Sequence, residues 1–170
     1  MAETVIDLYS FPTPNGRKVH VLVGRVLGIA RRDVKRGPML PLTEAEILLT
    51  AGVTGDTRGR PGARQVTVLS ATAWLEACAE AGTDLQWLAR RANLLVDGVD
   101  LHASTGAVLR LGDAVELLVT GELDPCERMD AAAPGLRRAL ASEWRGGVTC
   151  RVQRGGVLQV GAPARLTRPG

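Results

Sequence analysis

The chain has 170 residues, enough for one domain with a substantial core and too few for two comfortable ones. Apolar residues make up 45%, which predicts a folded chain, and no apolar run is long enough to span a membrane. The net charge of +3 rests on nineteen arginines against two lysines; it is too small to indicate nucleic acid, and 3% aromatics supply few base-stacking platforms. Arginine stays charged and presents a planar fork that grips phosphate or carboxylate, so a small anionic ligand suits this composition better. The start, MAETVIDLYSFPTPNG, lacks the basic and apolar regions of a secretory signal, and a cytoplasmic location is expected. Three cysteines without CxxC spacing, with His20 and His102 far apart, argue against a disulfide framework, a zinc site or a histidine-rich metal site.

In chain order, the valine-rich stretch 19–30, interrupted by Gly24 and Gly28, predicts one long or two short strands. RRDVKRGPM (31–39) reads as a basic loop. LTEAEILLTAG (42–52) fits either a short helix capped by Thr43 or a strand. GVTGDTRGRPGAR (52–64) is a glycine- and arginine-rich loop, and QVTVLS (65–70) alternates as a strand does. ATAWLEACAEAG (71–82) predicts a helix with Trp74, Leu75 and Cys78 on one face and Gly82 at its stop. LQWLARRAN (85–93) reads as a short helix or turn leading into the strand NLLVDGV. Residues 106–123 predict a hairpin turning at Gly112-Asp113, with Val115, Leu117 and Val119 on one face. APGLRRALASEW (133–144) predicts a helix with proline in its first turn, and 148–166 a closing hairpin turning at Gly155-Gly156. Seven or eight short strands with two or three small helices favour a mainly antiparallel β-barrel with helical insertions.

The cysteines divide. Cys78 falls on the apolar helix face and Cys150 alternates with Val148 and Val152, so both read as core. Cys126 follows Pro125 on a charged loop just after a strand, on a stiff and aimed segment. Glu122, Asp124 and Glu127 disfavour its thiolate. A reactive Cys126 therefore needs cations from elsewhere in the fold, or a metal that strips the proton. Arg58, Arg60, Arg64, Arg91 and Arg145 are the candidate suppliers. The alternative is an incidental surface cysteine.

Four stretches then form a pattern. GVTGDTRGRPGARQVTVLS, RRANLLVDGVDL with Arg91 and Asn93, GAVLRLGDAVELLVTGELDPCERM and WRGGVTCRVQRGGVLQVG occur in this order over about residues 23–167. Together they resemble the MOSC family, named after the C-terminal region of molybdenum cofactor sulfurase. The resemblance implies a β-barrel that binds molybdenum cofactor, a pterin with a dithiolene and a phosphate, or a related anionic sulfur compound. It places the family cysteine at Cys126, as a sulfur carrier holding a persulfide or as a molybdenum ligand. It implies cofactor binding by Arg58, Arg60, Arg64, Arg91, Asn93 and Arg145, and extends the expected ligands to pyridoxal phosphate. The implied partners are a sulfur donor such as a cysteine desulfurase, or a molybdoenzyme. A thiolate is a soft ligand for a thiophilic metal and a guanidinium fork suits phosphate.

Two departures stand out. Val160-Gly161-Ala162 replaces the Val-Gly-Asp that often ends the closing hairpin, and GDTRGRPGARQ lacks the Lys-His-Gly-Gly of the group that reduces N-hydroxylated bases. Gly55-Asp56 fits either ligand contact or a plain turn in which the aspartate bonds its own backbone, and Asn93 either ligand contact or a backbone bridge. Residues 5–20 resemble the opening strand and turn of glutathione transferases, but the rest of that domain is absent. Residues 1–22 are therefore expected to be an arm or an extra strand before a barrel domain at 23–170. The rival readings are a non-catalytic module that holds a phosphate ligand or a protein partner, and a thiol hydrolase pairing Cys126 with His102.

Overall fold

The structure, a computed structural model, describes Val5–Asp7 and residues 20–170. The strands are β1 Val5–Asp7, β2 His20–Leu22, β3 Gly24–Arg31, β4 Leu40–Leu42, β5 Glu44–Leu48, β6 Gly52–Val53, β7 Val66–Ser70, β8 Leu94–Asp97, β9 Val108–Leu111, β10 Val115–Glu122, β11 Val148–Arg154, β12 Gly156–Gln159 and β13 Pro163–Thr167. The helices are α1 Ala71–Glu80, α2 Glu127–Ala132 and α3 Leu136–Ala141, with 3-10 turns at Trp87–Arg90 and Ser142–Trp144.

Seven strands close a barrel in the order β3, β8, β7, β11, β10, β9, β13 and back to β3. Closure removes the exposed edges an open sheet would leave. Every pairing is antiparallel except β7 with β8, which run parallel because α1 carries the chain back between them. Strand β4 extends the sheet from β3, and β12, β5 and β6 form a small separate sheet. Strand β1 pairs with β2; most of the segment 1–22, expected to be an arm or an extra strand, lies outside the described residues.

Side-chain alternation sorts the barrel wall. Val115, Leu117 and Val119 of β10 point inward with Leu109, Leu111, Cys150 and Val152, all buried. Strand β7 is apolar on both faces: Val66 and Val68 enter the barrel, while Leu69 meets a second core formed by Trp74, Ala77, Cys78, Leu136 and Leu140 of the helices. The helices thus cover the β3–β8–β7 wall.

Five local expectations are corrected or resolved. Residues 44–48 are strand because Ala45 and Ile47 are buried while Glu44 and Glu46 are exposed, a period of two. The buried stripe of α1 is Ala71, Trp74, Ala77 and Cys78; Leu75 lies off it, 59% exposed. Helix α2 was not expected, because in ERMDAA only Met129 is buried and one residue carries no periodicity. The later helix starts at Leu136, after a left-handed Gly135 rather than at the proline, and ends at Ala141, where Ser142 turns extended with ψ 134°. The closing hairpin does not form: β12 pairs with β5, and β13 returns to β9 and β3.

Candidate functional site

Three loops converge at one end of β3, β7 and β8, and a buried polar hub joins them. The Asn93 side-chain carbonyl accepts from the Thr67 N–H and hydroxyl, each at 3.1 Å. Its amide donates to the Ala30 carbonyl at 3.2 Å and to Asp56 Oδ2 at 2.9 Å. Asp56 Oδ2 also accepts from the Arg32 N–H at 3.0 Å, and Oδ1 from the Arg58 N–H at 2.7 Å. Asp56 therefore does make the turn in which an aspartate holds its own backbone two residues on. Gln65, 2% exposed, anchors the root of the same loop by donating to the carbonyls of Leu49 at 2.8 Å and Gly59 at 3.2 Å.

This scaffold spaces the arginines. Arg32, Arg58, Arg64 and Arg91 line a recess of about 20 Å³ with Met39, Asp56, Thr67 and Asn93. It adjoins an open cleft of about 340 Å³ lined by Arg58, Arg60 and Arg64. Burial, then the neighbouring Arg58 and Arg91 charges, hold the Arg32 guanidinium below its ordinary range, with Asp56 opposing. Arg91 is lowered by burial first, then by Arg128 and Arg58, while Cys126 acts in the opposite sense. Arg91 sits in the left-handed region, φ 65° and ψ 30°, a conformation that costs a non-glycine residue about 1–2 kcal/mol. It donates to the Gly37 carbonyl at 2.6 Å, and its buried Nε has no partner among the described residues. An orphaned buried donor in a cluster of cations is a ready anion contact.

Cys126 lies within electrostatic reach of Arg90 and Arg91 but lines neither the recess nor the cleft. It takes an extended conformation, φ −106° and ψ 175°, immediately before α2, and its thiol is exposed. Arg90 fixes the segment leading to it. That guanidinium is buried and donates from Nε to the Gly146 carbonyl at 2.9 Å and from a terminal nitrogen to the Leu123 carbonyl at 2.7 Å. Burial lowers it to about 10, with Cys126 opposing, Arg64 adding to the fall and Asp124 opposing. Gly146 is required beside it: a Cβ there would lie 2.6 Å from the Leu123 carbonyl oxygen and 3.0 Å from the Arg90 guanidinium.

Two predictions arise here. Cys78 and Cys150 are buried and burial raises both thiols, Cys150 to about 12. Iodoacetamide at pH 8 is expected to modify one thiol of the native chain, at Cys126, and all three after denaturation; mass spectrometry of the intact chain reads this directly. Gly59→Ala is expected to dislodge the arginine loop, because a Cβ at Gly59 would fall on the Ala51 carbonyl oxygen. A loss of about 3 kcal/mol or more is expected from such overlap with fixed backbone, measured by denaturant unfolding.

Of the residues expected from sequence, Arg58, Arg60, Arg64 and Arg91 come together, with Cys126 within electrostatic reach of Arg90 and Arg91. Asn93 lines the same recess, with its amide making four internal hydrogen bonds that hold the three loops together. Arg145 is elsewhere. It pairs with Glu80 at 2.7 Å and Glu76 at 3.7 Å on α1 and lines a separate groove of about 730 Å³. His102 lines that groove too, not the recess. Sequence reasoning missed Arg32, Arg90 and Arg128. Arg32 had been read only as part of a basic loop, and Arg128 lies two residues beyond Cys126, where the charge run concealed it.

The described strands close a seven-stranded barrel, and a family model, that of the MOSC domain, matches residues 48–165. The chain belongs to the MOSC domain family, which is associated with molybdenum cofactor sulfurase-like proteins. Among solved structures it is similar to the YuaD protein of Bacillus subtilis, with 20% identity and a TM-score of 0.73 over 87% of this chain and 97% of that one. It is similar to YiiM of Geobacillus stearothermophilus at 17% identity and TM-score 0.68, over 86% of this chain and 76% of that one. For YiiM of Escherichia coli the values are 16% and 0.63, over 86% and 71%. These likenesses show a shared fold. No curated protein matches the sequence. No helix among the described residues is long and apolar enough to cross a membrane.

Proposed function

We propose that the chain binds molybdenum cofactor, or a related anionic sulfur compound, with Cys126 as its sulfur carrier or metal ligand. The observation that carries this reading is an exposed thiol within electrostatic reach of Arg91, a lining residue of the arginine recess around Asp56. In this reading one anionic group of the ligand meets Arg91 Nε and the Arg32 and Arg58 guanidiniums at the mouth of the recess, whose volume of about 20 Å³ suits a single oxygen atom. The body of the ligand lies along the Arg58–Arg60–Arg64 cleft. When bound, the cofactor supplies a thiophilic metal for which a thiolate is a suitable soft ligand.

As a sulfur carrier, the Cys126 thiolate attacks the outer sulfur of a donor persulfide. A new S–S bond forms at Cys126, the donor's S–S bond breaks, and the donor leaves as its thiolate without net oxidation. A cysteine desulfurase is a suitable donor and a molybdoenzyme a suitable recipient. Pyridoxal phosphate is a further candidate, since its phosphate suits the same guanidiniums.

The test is retention. The purified chain is mixed with molybdenum cofactor released from a molybdoenzyme, gel-filtered, and assayed for pterin fluorescence and molybdenum. Wild type retains both, and Cys126→Ala loses the molybdenum. Equal retention of both by Cys126→Ala, with loss in Arg58→Ala/Arg91→Ala, would instead favour a non-catalytic phosphate-binding module.

A further inference from the structure

The helices cover the β3–β8–β7 wall, and the outward residues of β13, β9, β10 and β11 remain at the surface. Register arranges them in two rows. In the first, Arg165 lies opposite Arg110, Arg110 opposite Glu116, and Glu116 opposite Arg154. In the second, Thr167 lies opposite Val108, Val108 opposite Leu118, and Leu118 opposite Arg151. With neighbouring strands about 4.8 Å apart, each row is about 14 Å long. The four arginines are exposed, while Glu116, Val108 and Leu118 are half-buried.

Four guanidiniums share this face with one carboxylate, which pairs with Arg110 at 3.2 Å. Arg165 directly opposite Arg110 is a like-charge pair that weakens the sheet. The face is thus electrostatically unbalanced around a small apolar centre. Thr120 and Thr149 continue it, and the Thr120 hydroxyl donates to the Ala63 carbonyl in the arginine loop. The face therefore runs up to the arginine loop.

We propose that this face docks a partner protein whose contact surface carries carboxylates around an apolar centre. An apolar centre with an arginine-rich rim is the anatomy of a protein interface. A nucleic-acid backbone is the poorer fit, because Glu116, Val108 and Leu118 stand between the arginines where a phosphate track would call for cations. A second copy placed by two-fold symmetry would set these arginines against themselves. The patch is small, which predicts transient, salt-sensitive binding.

The test uses fluorescence anisotropy with a labelled amphipathic helical peptide carrying glutamates around a leucine pair, a glutamine version of it, and a DNA oligonucleotide. Wild type binds the glutamate peptide and not the glutamine one. Arg110→Gln/Arg154→Gln and Leu118→Ser each weaken binding, the double variant by about tenfold or more. Cys126→Ala/Arg64→Ala retains it, which separates this face from the cofactor site. Circular dichroism confirms that each variant is folded; the substituted residues lie on the outside of the barrel, and Arg→Gln adds no charge beside Glu116. The proposal is overturned by absence of peptide binding or by unchanged binding in both barrel-face variants. It is also overturned by binding lost only in Cys126→Ala/Arg64→Ala, by DNA binding tighter than the peptide and indifferent to Leu118→Ser, or by a wild-type dimer that the arginine variant dissociates.

Discussion

Replacing Arg90 by methionine is expected to cost about 2–5 kcal/mol of stability and to lower Tm by about 5–15 °C. The side chain is 5% exposed and its two hydrogen bonds go to the backbone carbonyls of Leu123 and Gly146. Methionine fills much of the volume but leaves both carbonyls buried without these donors, at about 1–3 kcal/mol each. Removing a buried charge returns part of that loss. Arg90→Lys keeps the charge without the planar fork and is expected to recover only part of the stability. Full recovery by lysine would mean that charge rather than geometry holds the segment. The substitution also reaches the site, because Leu123 lies three residues before Cys126. In Arg90→Met, ligand should protect the Cys126 thiol less well.

Asn93→Ala is expected to cost about 2–4 kcal/mol, since it removes four side-chain hydrogen bonds and leaves the buried Thr67 N–H and Ala30 carbonyl short of partners. Asn93→Asp separates a hydrogen-bond role from a steric one. An ionised aspartate still accepts from Thr67, but it cannot donate to Ala30 and it stands against the Asp56 carboxylate. It is expected to be at least as damaging as alanine at pH 7. Burial and the Asp56 charge raise the new carboxyl above its unfolded value, so its penalty shrinks as pH falls and the group protonates. Denaturant unfolding from pH 7 down to 5 checks the direction. An Asn93→Asp variant as stable as wild type would remove the hub from the account.

Much of the barrel was legible because its strands are short, alternating and punctuated: β7, β8 and the β9–β10 hairpin lie where valine, leucine and glycine place them. The closing segment was not, because a glycine pair permits a turn without choosing the partner strand. Only the apolar face of β5 makes Gly156–Gln159 leave β11. At the site, Cys126 stood out through its proline and its charged surroundings, and the arginine loop through composition. Arg145 shows the limit. In sequence one arginine resembles another, and α1 happens to offer it Glu76 and Glu80 across the fold. Asn93 shows the converse: a polar residue beside a strand was seen, but its four partners come from three separate segments that only the closed barrel brings together.

The most direct measurement is the alkylation rate of Cys126 as molybdopterin is titrated in; Cys78 and Cys150 are buried and silent. If the thiol and the arginines form one anion-binding site, the rate falls to a saturable minimum, and Arg58→Ala/Arg91→Ala abolishes the protection while leaving the fold intact. A rate that stays constant across the titration, or protection that survives loss of both arginines, would contradict the account and leave Cys126 an ordinary surface cysteine.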